Sequence, residues 1–408
     1  MKSPKVYVTG TGIITSIGNN TRENFQSLVH LRSGIGKLEL FDSIHKQSIP
    51  VGEIKITDEA LRKTAGIPDG QGFSRTAILA IIAVKEALQS ANISDLNDVR
   101  TGLISATTVG GMREFENVLY DLLDPKKDGS FMQFAHVTDG GEHTERIADF
   151  FGFNGHISTV STACSSSANA IIFGAEMIKH GLLDRVVCGG SDVLSKFTIN
   201  GFNSLMILDK AHCRPFDASR NGVNLGEGAA YVVLESETLV KKQAKKILGE
   251  LSGYSNSNDA FHQTASSPDG DGALLAMQRA VAMANLNTNE ISYINCHGTA
   301  TENNDLSEVL AIQRLFGEYA PLFSSTKPYT GHTLAAAGSV EAIFSLLSLN
   351  HDIVFPNLNF ETPMPETTIS PVKNLLENKS INHVISNSFG FGGSNTSLLF
   401  SKPNGVKK

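Results

Sequence analysis

Short apolar runs rich in β-branched residues alternate with stretches whose apolar positions recur every three or four residues, along nearly the whole chain. The first spacing is that of a strand and the second that of a helix face, so their alternation predicts an α/β architecture. In the first part, strands are expected at Val6–Thr9, Gly102–Ala106, His156–Val160, Arg185–Gly189 and Ala229–Leu234. Helices are expected at Ser74–Ser90 and Ala168–His180, and near Thr144–Phe151. A lysine-rich stretch, Lys241–Lys246, then precedes a second series. Its strands are expected at Ile247–Tyr254, Ser292–Cys296, Leu322–Ser324, His383–Ser386 and Ser397–Phe400. Its helices are Ala273–Ala284, Leu306–Phe316 and Val340–Leu349. Each part offers five strand candidates in similar order, which points to duplication of topology without strong residue-level self-similarity. The division is expected at 246/247. The Pro-rich segment Phe355–Pro371 reads as a long ordered surface connection.

Composition narrows the class. The 408 residues are 41% hydrophobic and 18% charged, enough to bury a sizeable core. With 34 Lys and Arg against 41 Asp and Glu, the formal charge is −7, which argues against a partner that is nucleic acid or a membrane surface. No apolar run approaches the length of a membrane span, and the N-terminus lacks the apolar stretch of a signal peptide. The cysteines Cys164, Cys188, Cys213 and Cys296 are too scattered for a disulfide framework or a paired-cysteine metal site. The expectation is a soluble cytoplasmic enzyme with no metal and no bound cofactor.

Two motifs invite readings that their context does not support. Gly10-Thr-Gly12 follows a strand, as in dinucleotide-binding turns, but Thr15 stands where the third glycine belongs. Asp269-Gly-Asp271-Gly resembles the start of a calcium loop, yet the rest of that loop and its final Glu are missing. Both are better read as ordinary backbone features.

The chemistry gathers elsewhere. In Ile157-Ser-Thr-Val-Ser-Thr-Ala-Cys164-Ser-Ser-Ser-Ala, a strand ends and a helix begins around the cysteine. A thiol in the first turn of a helix faces unpaired N–H groups and the positive end of the dipole, which favours the nucleophilic thiolate. Cys188, inside a strand, reads as inert core. His297 and His332 each follow a predicted strand and are flanked by Gly and Thr, and strand exits are where ligands sit in α/β proteins. The glycines of Asn387-Ser-Phe389-Gly-Phe391-Gly-Gly393-Ser-Asn395 suit a turn with N–H groups free to bind an anion.

Together these segments resemble the β-ketoacyl-acyl carrier protein synthases of the elongating type I and II kind, over nearly the whole chain. The resemblance rests on Thr162-Ala-Cys164-Ser-Ser-Ser, His297-Gly-Thr-Ala-Thr301, Lys327-x4-His332-x3-Ala-Ala-Gly338 and Asn387–Asn395, in family order, with Arg214-Pro-Phe-Asp217 to Gly228 as a further stretch. It implies a thiolase-like five-layered αβαβα fold, with Cys164 in the first half and both histidines in the second. It implies decarboxylative condensation of malonyl-acyl carrier protein with an acyl group held on Cys164, assisted by His297 and His332. Lys327 would orient and charge the His332 side. Thr299 and Thr301 would hold the phosphopantetheine arm. The N–H groups of Cys164 and Phe391 would form the oxyanion hole, with Phe391 and neighbouring Phe389 as the gate. Glu308 would be the acidic partner near the lysine, and Asp305 structural. Partners implied are acyl- and malonyl-loaded carrier protein and a second subunit, identical or different.

Departures from the family pattern lie at Tyr329-Thr330, at Ala300-Thr-Glu302-Asn303-Asn304, and at Val109, where the family lines its acyl pocket. They bear on acyl preference rather than on the reaction. Two alternatives stand beside fatty acid synthesis: the same chemistry in an aryl polyene or polyketide pathway, and a non-catalytic partner resembling chain-length factors, against which Cys164 argues. A degradative thiolase would need a second cysteine in the C-terminal glycine turn, and Gly390-Phe-Gly-Gly393 has none.

Overall fold

A computed structural model describes residues 4–403 apart from 69, 70, 130, 131, 133 and 135. Its strands are β1 (Val6–Thr15), β2 (Thr101–Ala106), β3 (Ile157–Val160), β4 (Arg185–Asp192), β5 (Gly228–Ser236), β6 (Gly249–Asn258), β7 (Tyr293–Asn295), β8 (Leu322–Ser324), β9 (His383–Gly390) and β10 (Ser394–Ser401). They are hydrogen-bonded in the order β3-β2-β4-β5-β1-β6-β10-β9-β7-β8. Outward from the β1–β6 junction, each set of five runs first, fifth, fourth, second, third in its own chain order. One topology therefore occurs twice, joined where Tyr7 pairs with Glu250 and Val8 with Gly249.

The helices are α1 (Thr21–Val29), α2 (Asp58–Ala65), α3 (Arg75–Ser90), α4 (Met112–Leu123), α5 (Glu142–Phe151) and α6 (Ser166–Lys179) in the first part. There follow α7 (Lys196–Ser204), α8 (Glu237–Gln243), α9 (Asp271–Met283), α10 (Glu302–Phe316), α11 (Lys327–Thr330) and α12 (Ala337–His351). Helices α6 and α12 pack on each other between the two sets of strands, α3 and α5 cover one outer face, and α9 and α10 cover the other. The result is the αβαβα layering.

Side-chain direction explains the layers. On β5, Ala230, Val232 and Leu234 enter the central core while Ala229, Tyr231 and Val233 face α3. On β10, Leu398 and Phe400 point to the centre and Leu399 to the outer core. Strands covered on both faces are apolar at successive positions, which is why they read as continuous runs. Helix α12 lies in the middle and is buried almost all round, consistent with its Ala, Ile, Phe and Leu content.

Three expectations change. β1 runs through Gly10 and Gly12 to Thr15. A Cβ at Gly10 would stand 2.4 Å from Ala87 O, and one at Gly12 would stand 2.0 Å from Ala83 O, so these glycines let α3 lie on the strand. The segment 355–371 is ordered and in large part exposed, but it is anchored in the core by Phe355, Phe360 and Met364. Helices α1, α2, α4, α7, α8 and α11 were not apparent from periodicity. Asp269–Gly272 forms the polar turn into α9, with Asp271 paired to Arg314 at 2.7 Å. Among the described residues, no helix is long and apolar enough to cross a membrane.

Candidate active site

Cys164 sits in the turn between β3 and α6. Ala163 before it has a φ of +52°, a left-handed conformation that costs a residue with a Cβ about 1–2 kcal/mol. The neighbouring hydroxyls hold the turn. Thr162 N donates to Ser166 Oγ at 2.8 Å, Ser166 Oγ donates to Ala163 O at 2.5 Å, and Ser165 Oγ donates to Thr162 O at 2.8 Å. Ser167 Oγ accepts from Ser339 N at 2.9 Å, tying α6 to α12. The serine run thus supplies partners to backbone that water cannot reach. Gly390 closes β9 so tightly on this turn that a Cβ there would lie 2.9 Å from Thr162 O. That approach brings the Phe391 N–H to the sulfur alongside the N–H of Cys164 itself.

Both histidines come from the second part. His297 follows β7, where Glu308 of α10 accepts from His297 N at 2.9 Å and Gly298 N at 2.8 Å. His332 follows α11, its N donating to Asn224 O at 2.8 Å and its O accepting from Gly226 N at 2.9 Å. Their rings lie 5.4 Å apart at 87°. A nitrogen of each ring and Cys164 Sγ lie within 4.8 Å of one another, and all three residues are buried. They end a cavity of about 410 Å³ whose walls include Thr299, Thr301, Phe389 and Phe391.

Comparison with known proteins agrees with this convergence. Residues 3–239 match the family described as beta-ketoacyl synthase, N-terminal domain, and residues 248–361 match beta-ketoacyl synthase, C-terminal domain. The 3-oxoacyl-[acyl-carrier-protein] synthase 2 of Staphylococcus aureus strain N315 is 34% identical, covering 98% of this chain and 99% of its own. The chain belongs to the beta-ketoacyl synthase family. Among solved structures, the ishigamide ketosynthase/chain length factor is 28% identical with a TM-score of 0.92, over 98% of this chain and 100% of that one. A ketosynthase in complex with its chain length factor from Xenorhabdus doucetiae is 30% identical with a TM-score of 0.85, over 98% of each chain. This synthase is therefore an acyltransferase of the Cys-His-His kind, and its electrostatics can be read in those terms.

Lys327 Nζ pairs with Glu341 Oε1 at 2.5 Å, donates to His297 O, and meets His297 Nδ1 at 3.2 Å. An ammonium only donates, so Nδ1 accepts and the ring proton sits on Nε2. Leu334 N donates to His332 Nδ1 at 3.1 Å, which assigns His332 the same tautomer. Burial holds both imidazoles well below the ordinary histidine range, with the Lys327 charge adding to it, so both are neutral. His332 Nε2 is buried without a partner among the described residues. Two neutral N–H donors therefore stand beside the sulfur. The triangle has the spacing of a metal site, but a protonated Nε2 has no lone pair to give and the Lys327 ammonium repels a cation. The donor set suits a developing anion.

The sulfur departs from the sequence expectation. Burial pushes the Cys164 thiol up to about 11, against the opposing pull of Lys327 and the N–H groups of Phe391 and Cys164. The helix terminus and hole lower the cost of the thiolate without overturning desolvation, so the resting group is a thiol.

Two further expectations are corrected. Lys327 bonds His297 and reaches His332 only through its charge, while His332 takes its hydrogen bond from Leu334. The carboxylate beside the lysine is Glu341, while Glu308 holds the His297–Gly298 turn and accepts from Asn387 Nδ2 at 3.0 Å. Glu341 was legible in principle, as the lone charge in the apolar run Ala335–Leu349. Asp305 accepts from Phe216 N at 2.7 Å and from Ala300 N at 3.1 Å, bracing the loop after His297. Thr299 and Thr301 stand with their Oγ1 atoms 2.9 Å apart. The Phe391 ring stacks on Phe202 at 5.7 Å, whereas Phe389 backs His297 at 5.8 Å. Val109 is not among the residues lining this cavity.

Proposed function

We propose that this protein is a 3-oxoacyl-[acyl-carrier-protein] synthase of fatty acid synthesis. The carrying observation is the pair of neutral Nε2–H donors converging with a thiol at the end of one cavity. Cys164, once deprotonated, attacks the carbonyl of an acyl thioester. The tetrahedral oxyanion is held by the N–H groups of Cys164 and Phe391, and the carrier thiol leaves with a proton. Malonyl-carrier then loses carbon dioxide, and the electron pair released forms an enolate whose oxygen accepts from His297 and His332. The enolate carbon attacks the acyl-cysteine, giving 3-oxoacyl-carrier and restoring the Cys164 sulfur. No bound cofactor is needed. Lys327 and Glu341 act on His297 as a positioning pair. Thr299 and Thr301 would contact the phosphopantetheine arm, with Phe391 gating the acyl pocket and Phe389 supporting the histidine.

The carrier protein as partner is supported by the name of the Staphylococcus aureus relative and its full-length similarity. We read the chain as two halves, 1–246 and 247–408, acting in the cytoplasm as a dimer. A second reading keeps the chemistry but places it in an aryl polyene or polyketide pathway with a different second subunit. Similarity to the ishigamide ketosynthase/chain length factor and to the ketosynthase–chain length factor complex from Xenorhabdus doucetiae supports the different second subunit of this reading. A non-catalytic role is disfavoured by the intact Cys164, His297 and His332.

The test is incubation with malonyl-carrier and acyl-carriers of varied length and unsaturation, with products identified by mass. Saturated primers extended by two carbons by the single chain support the first reading. Extension only of polyene primers, or only after a second, different chain is added, supports the second. No product and no carbon dioxide under either condition would reject both.

A further inference from the structure

The tautomer of His332 depends on Leu334, and Leu334 holds a φ of +54°. A leucine adopts that conformation only when its surroundings impose it. Ala336 N donates to Thr333 O at 3.0 Å, closing the turn on itself. The residue between, Ala335, instead sends its N–H out of the turn to Asp192 Oδ2 at 2.9 Å. Asp192 ends β4, in the other part of the chain, and is fully buried. Its carboxylate also accepts from Thr107 Oγ1 at 2.5 Å, from Thr108 N at 3.1 Å, and from Thr108 Oγ1. Asp192 makes no ion pair among the described residues. A buried carboxylate without a cation is costly, and here neutral donors from two other segments offset that cost. Thr107 Oγ1 in turn accepts from Gly110 N at 3.0 Å, so the loop between β2 and α4 is held by the same group.

We propose that Asp192 is a positioning residue for the decarboxylation step: by fixing Ala335 N–H it maintains the Leu334 kink, keeps Leu334 N–H on His332 Nδ1, and so presents Nε2–H to the malonyl thioester. Asp192 is not among the residues lining the cavity and acts only through His332. The proposal rests on the reading of His332 as an enolate donor.

The test is Asp192→Asn. The amide keeps one acceptor oxygen, and its N–H2 group replaces either the acceptor of Ala335 N–H and Thr108 Oγ1 or that of Thr107 Oγ1, so the donors that hold the carboxylate can no longer all be met. Malonyl decarboxylation should fall roughly ten- to a hundredfold in turnover, while KM for malonyl-carrier and the rate of Cys164 acylation stay within about threefold. Nitrogen-15 spectra of histidine-labelled protein should show a single Nε2–H form of His332 in the parent and a mixture in the variant. Thr108→Val, which deletes one hydroxyl donor to the same carboxylate, should lower the same step by about threefold. A purely structural carboxylate would depress acylation and decarboxylation together with the His332 tautomer unchanged, and that result overturns the proposal. Decarboxylation at the parent rate in folded Asp192→Asn does so too. If Asp192→Asn does not fold, Thr108→Val decides, and a parental rate with a parental tautomer overturns it. Failure of the underlying reading is separately visible, as unimpaired decarboxylation in His332→Ala.

Discussion

At the scale of the residue, Cys164 lies between opposing influences. Desolvation favours the thiol, while Lys327 and two backbone N–H groups favour the thiolate, and the outcome is a thiol that titrates near 11. The thiolate fraction then rises tenfold for each pH unit below that value. Alkylation of Cys164 by iodoacetamide, followed by intact mass, should therefore climb about tenfold per unit from pH 7 to 10 without a plateau. A plateau below pH 8 would show that the helix terminus, as first expected from sequence, outweighs burial. Cys188→Ala should leave the adduct in place and Cys164→Ala should abolish it. Cys164 and His297 were legible because each stands at a strand exit among small residues, and His332 because Gly and Thr flank it, although α11 separates it from β8. The pairing of the electrostatic partners was not: Glu341 stands out as the lone charge of an apolar run, but it is matched to Lys327 by the meeting of α11 and α12, which no local pattern encodes.

At the scale of the element, glycine placement carries much of the packing. Gly12 in β1 touches the backbone of α3 so closely that a methyl group cannot be accommodated without moving the helix. Gly12→Ala should lower the stability measured by denaturant unfolding by about 3 kcal/mol, whereas Gly36→Ala, where no non-adjacent described residue lies within 4 Å of the added carbon, should change it by less than about 1 kcal/mol. Equal midpoints for the two variants would contradict the packing argument. On the motif alone these glycines could signal a dinucleotide turn, since a Gly-x-Gly after a strand looks alike whether it approaches a phosphate or a helix; Thr15 in place of the third glycine is what sets that reading aside. Long buried strands and the central helices were legible from their apolar runs. Several helices were not, because their evidence lies in caps rather than in periodicity. Asn20 accepts from Glu23 N ahead of α1, Thr57 from Ala60 N ahead of α2, and Ser195 and Thr198 form a capping box on α7. α2 is only eight residues long and mostly polar, so its single buried edge, Leu61 and Ala65, makes a weak signal.

At the scale of the whole molecule, an overall charge of −7 means that an acidic carrier must be met by a local basic patch. Two basic pairs, Arg62-Lys63 and Lys126-Lys127, are candidates. Arg62 donates to the carbonyls of Gln71 and Phe73 and Lys127 pairs with Asp121, so Lys63 and Lys126 are the exposed cations of these pairs with no carboxylate partner among the described residues. Reversing both to Glu should raise KM for carrier-bound substrate by about tenfold and weaken its salt dependence, with pantetheine thioesters little affected. Equal losses on both substrate types would argue against docking there. The duplicated topology also explains how the reaction divides. The first part contributes the thiol, the second both imidazoles, and the cavity lies where they meet. On the proposed mechanism, acyl transfer relies mainly on the sulfur and two backbone donors, whereas decarboxylation relies on the histidines, each worth about 3–4 kcal/mol to the developing enolate. The most direct measurement is single-turnover acylation of Cys164 alongside carbon dioxide release from malonyl-carrier, on folded His297→Ala and His332→Ala variants. Each should retain measurable acylation while release falls by about a hundredfold or more. Release at the parent rate from either variant, or an equal fall in both steps, would contradict the account.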